Sequence, residues 1–416
     1  MSSPSPSLAS PAAQAPWKRI FWFILGNWFL ILNGVAVTLA WRWPEVARNG
    51  GIIRSEYSVQ YGAIGSIFLI TGLTLSTPAL WNQARNYRLH LITQITSLLI
   101  YPTFTFALLN IIKAARNPQI DMYILIGIQF VGCACTSIAS NISMTIAGGG
   151  NGEAATVEVV LGNLLGVLFS PLINQMFFSA PGWHQGIPIA ENGSPGLAGL
   201  GEMYRRVMMK LGLAMFLPFT IGQVVQYFFY KPTKRVVQAL QLPKVSSFLL
   251  VTLVWSVFST QFHNNAFSSI PPGSIALVIF LIIFLYLGFS AVGLFIARLP
   301  FIPISDGKMG KAAQAYRLTK GETTAVCYCA AAKGLAVGTP MMDVLYGGFG
   351  ARERAIISIP FGLYQLEQIV MAQLLSHLFK RWNDRPDMLV LEEAIVSEAV
   401  NQHELIDREG SLDEVK

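Results

Sequence analysis

The sequence predicts an all-α polytopic membrane protein with ten transmembrane helices, built as two inverted five-helix repeats. Three observations carry this expectation. Charged residues make up 12% of the 416-residue chain and hydrophobic residues 53%, where a soluble domain carries about 25% charge. Ten apolar segments run through the chain, each near the roughly 20 residues that a helix needs to cross the hydrocarbon core. A Gly/Pro-rich connection, 179–202, divides them five and five. An odd number per half turns the halves in opposite directions across the bilayer.

Taken in order, residues 1–16 are mostly Ser, Pro and Ala, without charge. This reads as a disordered tail, without the basic start and cleavage signature of a signal peptide. Residues 17–382 form the transmembrane domain. Its apolar segments lie at 20–41, 61–80, 89–112, 121–147, 154–178, 203–229, 245–262, 273–297, 322–346 and 353–379. Trp17, Trp22, Trp41, Trp43, Trp81 and Trp382 cluster near segment ends, as interfacial belts require. With the N-terminus inside, the inner connections and ends hold sixteen Lys/Arg and the outer ones nine. Both termini are therefore expected in the cytoplasm. The net charge of +7 then belongs to basic loops facing anionic lipid rather than to nucleic-acid binding. Residues 383–416 form an acidic, helix-prone tail with ten of the 22 acidic residues. It reads as a solvated helix, or as a segment that binds a protein partner.

Two segments break the apolar pattern. Residues 133–153 are rich in hydroxyls, amides and glycine, and residues 327–343 are small and glycine-punctuated. Lipid-facing helices have no use for such chemistry. Helices interrupted inside the membrane do, because freed backbone groups need polar neighbours. Paired interruptions in the two halves point to a secondary transporter's substrate site. The first carries Asn141 and the second Lys333. A lysine inside a span costs roughly 2.5–3.5 kcal/mol on insertion scales, so Lys333 needs a partner. Glu158, in the fifth segment, is the expected one. Glu153 reads as interfacial, and Glu367 and Asp343 as interface or packing groups. Cys133/Cys135 and Cys327/Cys329 point to opposite helix sides within each pair, which disfavours a disulfide. The five His residues are scattered without metal spacing. No cofactor is expected, and no Ser/His/Asp set or acid pair suggests an enzyme.

The motifs resemble those of the bile acid:sodium symporter superfamily, in its symporter-like branch. That branch includes fungal plasma-membrane proteins that restrain calcium influx and the seventh member of the animal bile-acid carrier group. The similarity rests on Phe68-Leu-Ile-Thr-Gly-Leu-Thr-Leu75, Gln94 with Pro102, Ser140-Asn141, Gly150-Asn151 and Asn163-Leu-Leu-Gly-Val167. It continues through Glu322, Cys329, Lys333 and Leu335-Ala-Val-Gly-Thr-Pro-Met341. It implies broken fourth and ninth helices crossing at mid-membrane. It also implies a panel of spans 1, 2, 6 and 7 and a core of spans 3–5 and 8–10. Gln94, Ser140 and Asn141 would belong to the cation region, with Asn151 matched nearby.

The chain departs from sodium-coupled relatives. Their ninth-helix glutamate and glutamine correspond to Tyr328 and Ala332, and their fifth-helix hydroxyls to Ala155 and Val159. This argues against sodium coupling and suggests that the Lys333 ammonium stands where relatives hold a cation. The expectation is a plasma-membrane carrier moving a small anionic solute by alternating access, with a role in restraining calcium influx. The rival is a transporter-shaped regulator without turnover. The candidate site is Gln94, Ser140, Asn141, Asn151, Glu158 and Lys333.

Overall fold

The structure, a computed structural model, describes residues 28–75, 83–183, 197–299 and 318–385. The expected N-terminal tail and almost all of the acidic tail lie outside the described residues, as do most of the middle connection and the loop 300–317.

Among the described residues the chain is helical, with no strand. Helix α1 is Trp28–Arg42. Helix α2 spans 55–74 and contains a π turn at Ser58–Ala63. Helix α3 runs Tyr87–Ala114 with a π turn at Thr96–Ile100. Then come α4 (Met122–Cys133), α5 (Ala139–Ala147) and α6 (Gly152–Phe178). Helix α7 covers 197–228 through a π turn at Gly212–Phe216. The rest are α8 (Tyr230–Ala239), α9 (Leu242–His263), α10 (Pro272–Arg298), α11 (Lys320–Ala331), α12 (Leu335–Leu345) and α13 (Ala351–Asn383).

Helix ends follow local chemistry. Asn86, Asp121 and Asn151 cap α3, α4 and α6 by accepting from first-turn amides, which satisfies donors that a helix start leaves open. Thr319 and Glu322 form a reciprocal capping box on α11, and Asn86 donates to Glu322 at 2.7 Å. The second expected segment, 61–80, stops its helix earlier: Leu75 is already extended, at φ −85° and ψ 113°. The sixth starts earlier than expected. Glu202, expected in the connection, rides on α7 with Arg205 and Arg206 as an ion-paired turn.

Among the described residues, seven helices are long and apolar enough to cross a membrane, with α11 and α12 counted together as one, and α1 and α4 are shorter but apolar. Their outward faces expose Leu99, Phe104, Phe228, Phe280 and Phe295. Apolar surface on that scale requires lipid rather than water, so this is a multi-pass membrane protein. Helix α1 packs on α9, and α2 packs on α7 and α9. Helix α4 packs on α3 and α13, and α10 on α11 and α13. The α2–α7 contact is backbone on backbone. A Cβ at Gly72 would stand 2.5 Å from the Phe219 carbonyl, and one at Gly222 2.5 Å from the Leu69 carbonyl. Small residues at such crossings let transmembrane helices approach closely.

Candidate functional site

Two helices break and meet. Helix α4 ends where Ala134 turns extended (φ −67°, ψ 154°), and helix resumes at Ala139. Helix α11 ends where Ala332 turns extended (φ −71°, ψ 145°), and α12 begins after Gly334. Backbone groups freed in an apolar interior must find partners. Here the breaks serve each other. The Gly334 amide donates to the Cys135 carbonyl at 2.7 Å, and the Thr136 hydroxyl to the Cys329 carbonyl at 2.8 Å. The approach requires glycine: a Cβ at 334 would lie 2.6 Å from the Thr136 carbonyl.

Helix α13 holds the second break with two glutamines three residues apart, hence on one face. Gln368 accepts from the Lys333 amide at 2.9 Å and donates to its carbonyl at 2.8 Å. Gln365 accepts from the Leu335 amide at 3.3 Å. The Tyr101 hydroxyl donates to that of Tyr364 at 3.0 Å, and Tyr364 donates to the Ala331 carbonyl at 2.7 Å.

The Lys333 side chain is fully buried. Its ammonium donates to the Ser97 carbonyl (2.8 Å), the Ser97 hydroxyl (3.2 Å) and the Ala134 carbonyl (3.0 Å). It lies 4.4 Å from the centre of the Tyr101 ring, a cation–π distance. An ammonium has three protons, and each finds an acceptor. Two features of the backbone make this seat. The π turn at Thr96–Ile100 contains Ser97, and Ala134 is the C-cap of α4, where the helix dipole presents its negative end. The expected Lys333–Glu158 pair does not form. A carboxylate is not needed, because dipoles already answer the charge.

Glu158 is paired elsewhere. Its carboxylate is buried and meets His90 Nδ1 on one oxygen. On the other it accepts from the Gln94 amide at 2.8 Å. His90 and Gln94 stand four apart on α3, one face of a helix, a spacing that the sequence reading did not use when it left His90 among five scattered histidines. Asn141 donates to the Thr136 hydroxyl at 2.8 Å, and the Ser137 and Ser140 hydroxyls share a hydrogen bond of 2.7 Å. Asn151 sits apart from the breaks, capping α6 with bonds of 3.0 Å from Glu153 and Ala154. The structure thus gathers Ser140, Asn141 and Lys333 around the two breaks. Gln94 and Glu158 sit in an adjoining cluster, and Asn151 lies at a helix start. The sequence did not single out Ser97, Tyr101, Tyr364, Gln365 or Gln368.

At the positions matched to the sodium ligands of relatives, the side chains present no oxygen free for that ion. The Tyr328 hydroxyl donates to the Ala372 carbonyl at 3.2 Å. Ala155, Val159 and Ala332 offer buried hydrocarbon where a hard cation wants several oxygens. No cluster of His, Cys, Asp and Glu among the described residues could hold a metal.

Glu367, on α13, has both carboxylate oxygens buried without a hydrogen-bond partner. A buried charge without partners is costly. Glu367→Gln is therefore expected to leave thermal unfolding in detergent unchanged or raised. Glu158→Gln should lower stability by roughly 2–3 kcal/mol, because one amide cannot accept from both His90 and Gln94. Equal losses in the two melts would contradict the contrast.

Two crevices flank the breaks. One, of about 320 Å³, is lined by Arg48, Gln60, Thr339, Asp343, Arg354 and Phe361. The other, of about 680 Å³, is lined by Thr71, Ile138, Ser143, Asn151, Thr156 and Ser246. Along α2 the first meets residues 59–60 and the second 70–74. Along α9 the first meets residues 253–263 and the second Ser246. They therefore open at opposite ends of the same helices. Between them Ile67, Ser137, Leu250 and Gly334 line a space of only about 10 Å³.

Residues 27–381 match the model of the SBF-like CPA transporter family. The chain is 34% identical to Solute carrier RCH1 of Candida albicans over 389 residues, covering 90% of this chain and 93% of that protein. It is 32% identical to Solute carrier RCH1 of Saccharomyces cerevisiae over 406 residues, 93% of this chain and 90% of that one. It is 26% identical to Sodium/bile acid cotransporter 7 of Rattus norvegicus over 356 residues, 86% and 93% of the two chains.

Proposed function

The chain belongs to the SBF-like CPA transporter family, and from that premise we propose that it carries a small organic anion across the plasma membrane by alternating access. In this reading the helices make ten passes in two inverted halves, with both termini cytoplasmic. Helices α1, α2, α7 and α9 act as a panel, and the remaining spans as a core that rocks against it. The described crevices become the outer and inner mouths of one path, closed at the breaks. Helix α8 carries Lys231, Lys234 and Arg235 and lies at the cytoplasmic interface, in keeping with the positive-inside rule.

The observation that carries the proposal is the meeting of two broken helices around an enclosed ammonium. Half-helix C-terminal carbonyls coordinate coupling cations in such carriers. Lys333 takes that place at the end of α4, so the cation is built in and sodium is not consumed. Through the resemblance, the cellular role is restraint of calcium influx. Uptake of radiolabelled carboxylates, sulfonates and phosphates into proteoliposomes, with Lys333→Ala and Asn141→Ala as controls, is the test. Undiminished uptake by both variants would remove the site assignment.

One observation favours a second reading. All three ammonium protons of Lys333 are already engaged by its own chain, as in a fixed strut. A carrier-shaped regulator without turnover would act through its acidic tail on a protein partner. Deleting 386–416 separates the two: a regulator loses calcium control, whereas a carrier keeps uptake.

A further inference from the structure

The 320 Å³ crevice holds one charge that no described residue answers. Asp343, on its wall, is engaged: the Gln60 amide donates to it and Lys210 stands 3.4 Å away. Arg48 lies 2.6 Å from Glu45, and His263 meets the other oxygen of Glu45 at 2.6 Å. The Arg48 hydrogen bond holds the Glu45 carboxyl below its usual value, and His263 adds to this. Arg354 differs. Its Nε is buried without a partner, and its side chain makes no hydrogen bond or ion pair to any described residue. It nevertheless lines the crevice.

A guanidinium is always charged and presents five donors in a planar fork. Partly buried, such a fork is stabilised by an acceptor that matches it, and carboxylate, sulfonate and phosphate groups do so in two-pronged fashion. Val59, Leu253, Leu335, Met342 and Phe361 add an apolar part to its lining. The volume is at the small end of the roughly 300–1,000 Å³ typical of ligand pockets.

We propose that this crevice binds the headgroup of a small amphipathic anion on Arg354, with the hydrocarbon body against Phe361 and Leu253. The proposal rests on the reading of the chain as an organic-anion carrier and names where the anion is first held. It also gives Arg354 a task distinct from that of Lys333, whose protons are taken and whose seat is closed.

The test uses the full chain in detergent at constant ionic strength. Thermal unfolding is followed against inorganic phosphate, citrate, 4-phenylbutyrate and naphthalene-2-sulfonate. An amphipathic anion should raise the midpoint saturably. Arg354→Gln should weaken its apparent Kd at least about tenfold, Arg354→Lys less, and Arg205→Gln, on the surface of α7, not at all. Phenylglyoxal modification of Arg354 in the unaltered chain, mapped by mass spectrometry, should slow when the same anion is present. This second readout does not depend on how well the variants fold. An unchanged Kd in Arg354→Gln, no stabilisation of the unaltered chain by any of the four anions, or unprotected Arg354 overturns the proposal. Uptake in proteoliposomes separates the two readings. Uptake with no anion effect at Arg354 sinks this site alone, and anion binding without uptake sinks the carrier reading alone.

Discussion

Lys333→Met is expected to cut uptake by about 100-fold or more, equivalent to about 2.7 kcal/mol of barrier. Methionine keeps most of the volume and removes the charge, so packing is nearly preserved and the electrostatic role is isolated. Three acceptors then lose their donor: the carbonyls of Ser97 and Ala134 and the Ser97 hydroxyl. Each buried acceptor left open costs roughly 1–3 kcal/mol. Relief of the buried charge offsets part of this. The expected melting loss is accordingly modest and the functional loss large, because the end of α4 is left with its negative dipole uncompensated. Paired measurement of melting and uptake checks this. A variant that melts like the parent and transports like it would show that the ammonium has no part in the cycle.

Gly334→Val is expected to have the largest effect on stability, roughly 3 kcal/mol or more. The clash is with backbone: a Cβ would stand 2.6 Å from the Thr136 carbonyl and 3.2 Å from its carbon. A side chain could swing away, but this carbonyl is fixed by its own bond from Asn163 at 3.2 Å. Separating the breaks to make room would also break the 2.7 Å Gly334–Cys135 bond. Gly34→Val is the control, since nothing lies within 4 Å of a Cβ there. Thermal unfolding of the two in detergent should differ widely, and equal melting points would contradict the tight meeting of the breaks.

The fold was legible to the extent that hydropathy and small-residue content encode it. The interruptions at 133–147 and 327–343 stand out because Asn141, Lys333 and the hydroxyls around them have no place on a lipid-facing helix. The breaks occur there, at Ala134 and Ala332–Gly334. Partner choice was less legible. Glu158 looked like the natural match for Lys333 because a buried cation suggests a buried anion. The structure answers the ammonium with two carbonyls and a hydroxyl instead, and carbonyls are present at every residue, so no side-chain pattern marks them. The π turn that contains Ser97 has no composition signature either. Gln365 and Gln368 were readable in principle, as two amides three residues apart within the apolar middle of a predicted span. Arg354 read as one of nine outer basic residues. Only the crevice beside it distinguishes it from Arg352, which is exposed.

Alternating access requires that the two crevices open in turn as mouths of one path, pivoting at the joined breaks. Gln60 and Asp343 touch across the first crevice, from α2 to α12. The four native cysteines are buried, so added thiols can be addressed selectively. Gln60→Cys with Asp343→Cys, joined by a short bifunctional thiosulfonate in proteoliposomes, should stop anion uptake, and dithiothreitol should restore it. Full uptake while mass spectrometry shows the pair completely cross-linked would contradict the account.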